Sequence, residues 1–338
     1  MSNSVLVEAR RGALVESLHR GAAAVVDVAG VIRFAVGDVD QPIYPRSAIK
    51  AIQAMVLAES GAVERFGLGE AELAIACASH GGEPEHVATV TRMLERAGLV
   101  PDALECGAHW PLHQPSAHAL ARSGGTALPL HNNCSGKHAG FLCAARALGV
   151  PHRSYVSADH PVQREVKARL EQLAAISIDD DWRAIDGCSV PTWAVPLSAL
   201  ARAFARFATG DGVGPVSAQA AARLRTACTA RPWHVAGTGR FCTEMMQRFG
   251  PRVFVKTGAE GVFCGALPQQ GIGIAIKCDD GAGRAAEVVM AALLTRFLPL
   301  DDAQRGFLDR FVHPPLRNWN GTVVGALAPT EVLTGHPA

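Results

Sequence analysis

The chain has 338 residues, 49% of them hydrophobic and 19% charged, an ordinary globular balance with length enough for one large domain or two. A formal net charge of +1, with no basic patch longer than a pair such as Arg10-Arg11, argues against a nucleic-acid partner. No apolar window approaches the ~18 residues of a membrane span, and the nine cysteines lie mostly in apolar or helical stretches (Cys77, Cys143, Cys228, Cys264). That pattern suits reduced thiols, so a cytoplasmic chain without a membrane partner is expected.

The first elements read as strands: Val5–Ala9, Ala24–Val28 and Val31–Val36 are rich in β-branched residues, with a turn at Ala29-Gly30. A polar connection from Gly37 to Pro45 leads into a helix over about 46–59. Helical patterns follow at about 69–78, 84–97, 135–147, 161–174, 197–208, 216–229 and 240–248, with Gly98 and Gly149 where C-caps belong. After Gly250 the period becomes two. Val253–Thr257, Val262–Ala266 and Gly271–Lys277 predict an antiparallel meander, then helices at 284–298 and 301–311 and a last strand near 322–326. The spacing therefore predicts an α+β fold. Residues 1–45 and 250–338 build a sheet-containing lobe flanked by helices, residues 46–249 a mostly helical lobe, and a cleft between them would hold the site.

Lysine is scarce. It occurs at five positions among 32 basic residues, so each one calls for a reason. Lys50 closes the Ser-x-x-Lys of Ser47-Ala48-Ile49-Lys50, and Lys256 opens Lys256-Thr257-Gly258. On a helix, residues three apart share a face, so Ser47 and Lys50 can touch. Ser47 would sit where unpaired N–H groups favour a developing anion. A desolvated lysine near other cations can lose its proton and serve as a base, which arginine cannot. Taken alone, a Ser-x-x-Lys is more often a helix N-cap with an exposed lysine, but Lys50 here is flanked by Ile49, Ala51 and Ile52. Arg46 is placed to fork onto a carboxylate, or is a surface arginine.

Cys134, Lys137 and His138 are spaced to project to one side of a helix start, while Asp186 and Cys188 come from a distant loop. Thiolates with imidazole or carboxylate suit zinc, although the spacing matches no common zinc motif and buried cysteines explain it too. His80, beside Ser79, is either a site residue or a core histidine. His131, Asn132 and Asn133 can supply oxyanion donors or an Asx-type turn. Cys242 is either near the site or in the core.

These segments together resemble the rhizobial-type asparaginase II family, within the serine β-lactamase, penicillin-binding-protein and serine glutaminase superfamily. The resemblance is carried by Tyr44–Lys50, Cys77–His86, His131–Gly140, Ile185–Pro191, Gly237–Thr243 and Lys256–Gly261. It implies a serine β-lactamase-like fold and hydrolysis of L-asparagine to aspartate and ammonia, by a homodimer. The serine–lysine pairs Ser47/Lys50 and Ser79/Lys256 would do the chemistry, with Ser47 as nucleophile and Ser79 in proton relay. Zn²⁺ is implied on Cys134, Lys137 and Cys188, and substrate contacts at Arg46, His80, Asn133, Lys137, His138 and Asp186. No Ser-x-Asn loop stands between the two motifs, Ser79-His80-Gly81 being the nearest, so a small amide is expected over a lactam. A penicillin-recognising hydrolase or glutaminase, and a non-catalytic amino-acid or zinc sensor, are the alternatives.

Overall fold

The computed structural model describes residues 3–335. Eight antiparallel strands form its main sheet: β1 Ser4–Arg11, β2 Leu14–Asp27, β3 Ile32–Val36, β4 Phe254–Thr257, β5 Val262–Leu267, β6 Ile272–Cys278, β7 Pro315–Arg317 and β8 Val323–Pro329. The order is β7-β8-β1-β2-β6-β5-β4, with β3 also paired to β2. The strands from the two chain ends are thus woven together. β1 pairs β8 with Val7 opposite Pro329, and β2 pairs β6 with Ala24 opposite Ala275.

The run Ala22–Val26 in β2 is buried throughout rather than alternating, because both faces of the sheet's centre are covered. Two glycines mark the opposite faces. A Cβ at Gly273 would stand 2.0 Å from the Ala201 carbonyl oxygen, so the helix Leu197–Thr209 lies directly on one face. A Cβ at Gly265 would meet the Met290 sulfur at 3.2 Å on the other, beneath the helix Gly283–Phe297. This corrects the division into lobes: Leu197–Thr209, expected in the helical lobe, is part of the sheet's covering.

Two further departures have local causes. The helix expected over 46–59 is broken into a 3₁₀ turn, Arg46–Ile49, and two short α segments, Lys50–Gln53 and Met55–Glu59. It opens with Arg46 in the left-handed region at φ +52° and an i→i+3 bond from Ala48 N–H to the Pro45 carbonyl. The helix Gln114–Arg122 has no sequence forecast, its short apolar side of Pro115, Ala119 and Leu120 being unburied. Gly149 does end its helix left-handed, at φ +70°. Among the described residues no helix is long and apolar enough to cross a membrane.

Gly273→Ala should cost about 1–3 kcal/mol or more, since the methyl group must displace backbone rather than a side chain. Gly283→Ala, with open space around the added carbon, is the control and should be near neutral. Denaturant unfolding of the two variants distinguishes them.

Candidate active site

Three segments distant in sequence meet at Ser79. Lys50 enters from the turn of the broken helix, Lys256 from the end of β4, and Ser79 follows the helix Glu70–Ala76. Lys50 Nζ lies 3.0 Å and Lys256 Nζ 2.9 Å from Ser79 Oγ, and each of the two lysines is only 1% exposed. Their remaining partners separate their charge states. Lys50 has acceptors for all three ammonium protons: Ser79 Oγ, the Ala78 carbonyl at 2.6 Å and the Asn133 carbonyl at 3.4 Å. Lys256 has one carbonyl, Thr257 O at 2.8 Å, besides the serine. Burial first, and then the nearby Lys50 charge, push Lys256 down to about 7. As an amine it donates to Thr257 O and accepts the Ser79 hydroxyl proton, while Ser79 accepts from Lys50. The hydrogen bonds of this chain then all run in one direction, from Lys50 through Ser79 to Lys256.

Ser47 stands apart from that chain. Among the described residues Lys50 makes no hydrogen bond to Ser47, a correction to the direct pair that the spacing suggests, because its three donors are taken by Ala78, Ser79 and Asn133. Ser47 is half-buried whereas Ser79 is 6% exposed. The strained Arg46 backbone turns the first helical position toward the end of β4. Gly258 is needed there, since a Cβ on it would be 3.0 Å from Pro45 O. The N–H groups of Ser79 and His80 are spent on Val235 O and Asn133 O, so neither can hold an oxyanion.

The second cluster is contiguous with the first. Lys137 Nζ donates to Cys188 Sγ at 2.9 Å. The neighbouring Cys188 holds the Cys134 thiol well below its usual range against the opposing cost of burial, with Lys50 and Lys137 helping, while Cys134 and burial hold Cys188 up. Burial works against the Lys137 ammonium, yet the two sulfurs raise its pKa. Cys188 and Asp186 sit in the turn of a small hairpin, Arg183–Ile185 with Pro191–Trp193, tightened by Ser189 at φ +73°. Asp186 Oδ1 accepts from Arg46 Nε at 2.8 Å and from the Gly187 N–H. Burial opposes its charge, but Lys137 and Arg46 bring its pKa below the usual carboxylate value.

The family model described as L-asparaginase II matches residues 7–329. The chain belongs to the L-asparaginase II family. No curated protein is significantly similar to it. Among solved structures it is similar to Mglu, at 17% identity and TM-score 0.35, covering 79% of this chain and 64% of that one. Mglu in its native form gives 18%, 0.39, 84% and 66%. A β-lactamase from Mycobacterium bovis gives 17%, 0.35, 79% and 89%. The chain spans about two thirds of the length of Mglu, and the family assignment rests on the family model alone.

Other expected site residues of this asparaginase II chain divide clearly. His80 is fully buried with both ring nitrogens engaged, Nε2 to Ser135 Oγ at 2.9 Å and Nδ1 accepting from the Gly82 N–H. Burial, with neighbouring charges, holds it well below its usual pKa. It is the core histidine of the two alternatives, without a free position for substrate. Asn132 makes the Asx-type turn, accepting the Cys134 N–H at 2.8 Å. Asn133 is held through its backbone, with its N–H on His109 Nε2 at 2.9 Å. His138 Nδ1 accepts from the Tyr155 hydroxyl at 2.7 Å, and its buried Nε2 has no partner among the described residues. Tyr155, Ser135 and His109 were not foreseen. Tyr155 alone carried a signal, as one of two tyrosines in the chain.

Removing the Lys50 charge should let Lys256 regain its proton more easily, because a like charge is lost. In ε-¹³C-lysine NMR, simplified by the scarcity of lysines, Lys50→Gln should move the Lys256 midpoint upward from about 7. A midpoint that stays or falls contradicts the coupling.

Proposed function

We propose that the chain hydrolyses the side-chain amide of L-asparagine to L-aspartate and ammonia through an acyl-enzyme on Ser47. The observation that carries this reading is the buried Lys50–Ser79–Lys256 chain beside an accessible Ser47, within a family match over residues 7–329. Neutral Lys256 draws the Ser79 hydroxyl proton while Ser79 takes one from Lys50, leaving Lys50 as the amine that deprotonates Ser47. Ser47 lies in the 3₁₀ turn that Lys50 follows, the Lys50 N–H bonding the Ser47 carbonyl, and at this i, i+3 spacing the two side chains fall on one side of the turn. Ser47 Oγ attacks the amide carbon to give a tetrahedral oxyanion, which backbone N–H donors would stabilise. The C–N bond breaks as ammonia leaves with the transferred proton. Water, deprotonated along the same route, then cleaves the ester and restores Ser47.

Asp186, charged and fixed by Arg46, suits the α-ammonium of the substrate. With its Nδ1 accepting from Tyr155, His138 has a buried, unpartnered Nε2–H that suits an oxygen of the substrate. Cys134, Lys137 and Cys188 also fit a zinc ion, two sulfurs and a nitrogen already converging in a buried place. Among the described residues no group of three or more His, Cys, Asp or Glu could replace that set, so Lys137 would be an obligatory ligand. Bound there, zinc would supply a positive charge that orients the substrate.

Ammonia release measured in parallel on asparagine, glutamine and a penicillin tests the proposal. Turnover of asparagine is expected, with Ser47→Ala lowering kcat by about 10³-fold or more, as for loss of a nucleophile. Preferred turnover of glutamine or penicillin, or tight asparagine binding without ammonia, would replace the reading. Purified without chelator, the protein should carry about one zinc, and Cys134→Ser should lose most of it, as read by elemental analysis.

A further inference from the structure

We propose that Tyr155 is a positioning residue for the hydrolysis: it fixes His138 as the tautomer protonated at Nε2, so that the imidazole meets a substrate oxygen as a donor and not as a base. This rests on the asparaginase reading above, in which the His138 Nε2–H suits an oxygen of the substrate. Both side chains are fully buried. The Tyr155 hydroxyl accepts the Glu105 N–H at 2.8 Å and stands 2.7 Å from His138 Nδ1. With a backbone donor already on its oxygen, the hydroxyl needs an acceptor for its own proton, and among the described residues Nδ1 is that acceptor. Were Nδ1 protonated, as in the other tautomer or the imidazolium, the tyrosine proton would be buried with its hydrogen bond unmade, which is costly. The ring proton therefore sits on Nε2, because the partner of one nitrogen sets the state of the other.

A strained residue holds the tyrosine in place. Ser154, directly before it, is left-handed at φ +56°, and its N–H is bonded to Glu105 Oε1 at 2.9 Å. The Tyr155 carbonyl accepts from Gln163 Nε2 at 2.9 Å, out of the helix Pro161–Ala174. Its ring meets the imidazole edge-on, 5.4 Å between centroids. The His138 N–H bonds the Cys134 carbonyl at 3.0 Å, so the imidazole lies one helical turn beyond Cys134, on the same face. Cys134 follows Asn133, whose carbonyl accepts from Lys50, and Lys137 bonds Cys188 in the loop that holds Asp186. The imidazole is thus anchored on the helix start that joins the two clusters, and its Nε2 is buried with no partner among the described residues. The cost of burying a free donor is offset when a ligand brings the acceptor.

Nitrogen-15 NMR of the histidine rings reads the tautomer in the full chain without substrate, with His138 identified by the signals that His138→Ala removes. The unmutated protein should show His138 with a proton on Nε2 and a bare Nδ1. Tyr155→Phe should draw the two signals together as the tautomers mix, and should lower kcat/KM for asparagine by about tenfold. In a His138→Ala background the same tyrosine change should alter kcat/KM by less than about twofold, because its effect passes through the imidazole. Unchanged ring signals in Tyr155→Phe, or equal losses in the two backgrounds, overturn the assignment of Tyr155. A proton on Nδ1 in the unmutated protein overturns it without any variant, so the test stands even if Tyr155→Phe does not fold. No ammonia from asparagine with the unmutated protein overturns the function proposed above and the substrate contact with it, whereas a proton on Nδ1 overturns the tautomer assignment alone.

Discussion

Two lysine side chains, each 1% exposed, converge on one serine hydroxyl, and the rest of the site is arranged around making that tolerable. Burying two like charges together costs on the order of several kcal/mol per ion, so one of them must give up its proton or find a counter-charge. The hydrogen bonds assign the roles. Lys50 meets three acceptors and suits an ammonium, whereas Lys256 meets one carbonyl and a hydroxyl and suits an amine. A neutral amine held in an apolar place near physiological pH is what amide hydrolysis by a serine requires.

That constraint explains the topology. Lys256 rides on an edge strand of a rigid sheet closed by both chain ends, and Lys50 is delivered by a turn whose first residue is strained at φ +52°. Asn133 links the two centres, its carbonyl accepting from Lys50 while the next residue, Cys134, begins the thiol cluster. A change in charge at Cys134 is therefore felt at Lys50 and at Lys256.

Strands, main helices and the interleaving of the chain ends were readable because period-two and period-3.6 patterns report directly which face is buried. The scarcity of lysine pointed to Lys50, Lys137 and Lys256, and the structure brings each of them to a buried polar cluster. What the spacing could not provide were partners set by tertiary packing. Ser47 and Lys50 share a side of the turn, yet Lys50 bonds carbonyls from residues 78 and 133 instead. His80 looks like a site residue beside Ser79, but Ser135, 55 positions later, takes its ring nitrogen.

The central claim is that Lys256 acts as the neutral end of the relay, and the pH dependence of kcat/KM examines it most directly. Because the pKa of Lys256 is lowered to about 7, the amine is present above that pH and is lost below it. Activity should therefore rise with pH through a limb near 7. Lys256→Arg, which keeps a charge that cannot be removed in this range, should abolish that limb and leave a low, flat rate. A limb of the same midpoint in Lys256→Arg would show that another group is titrating and would contradict the account.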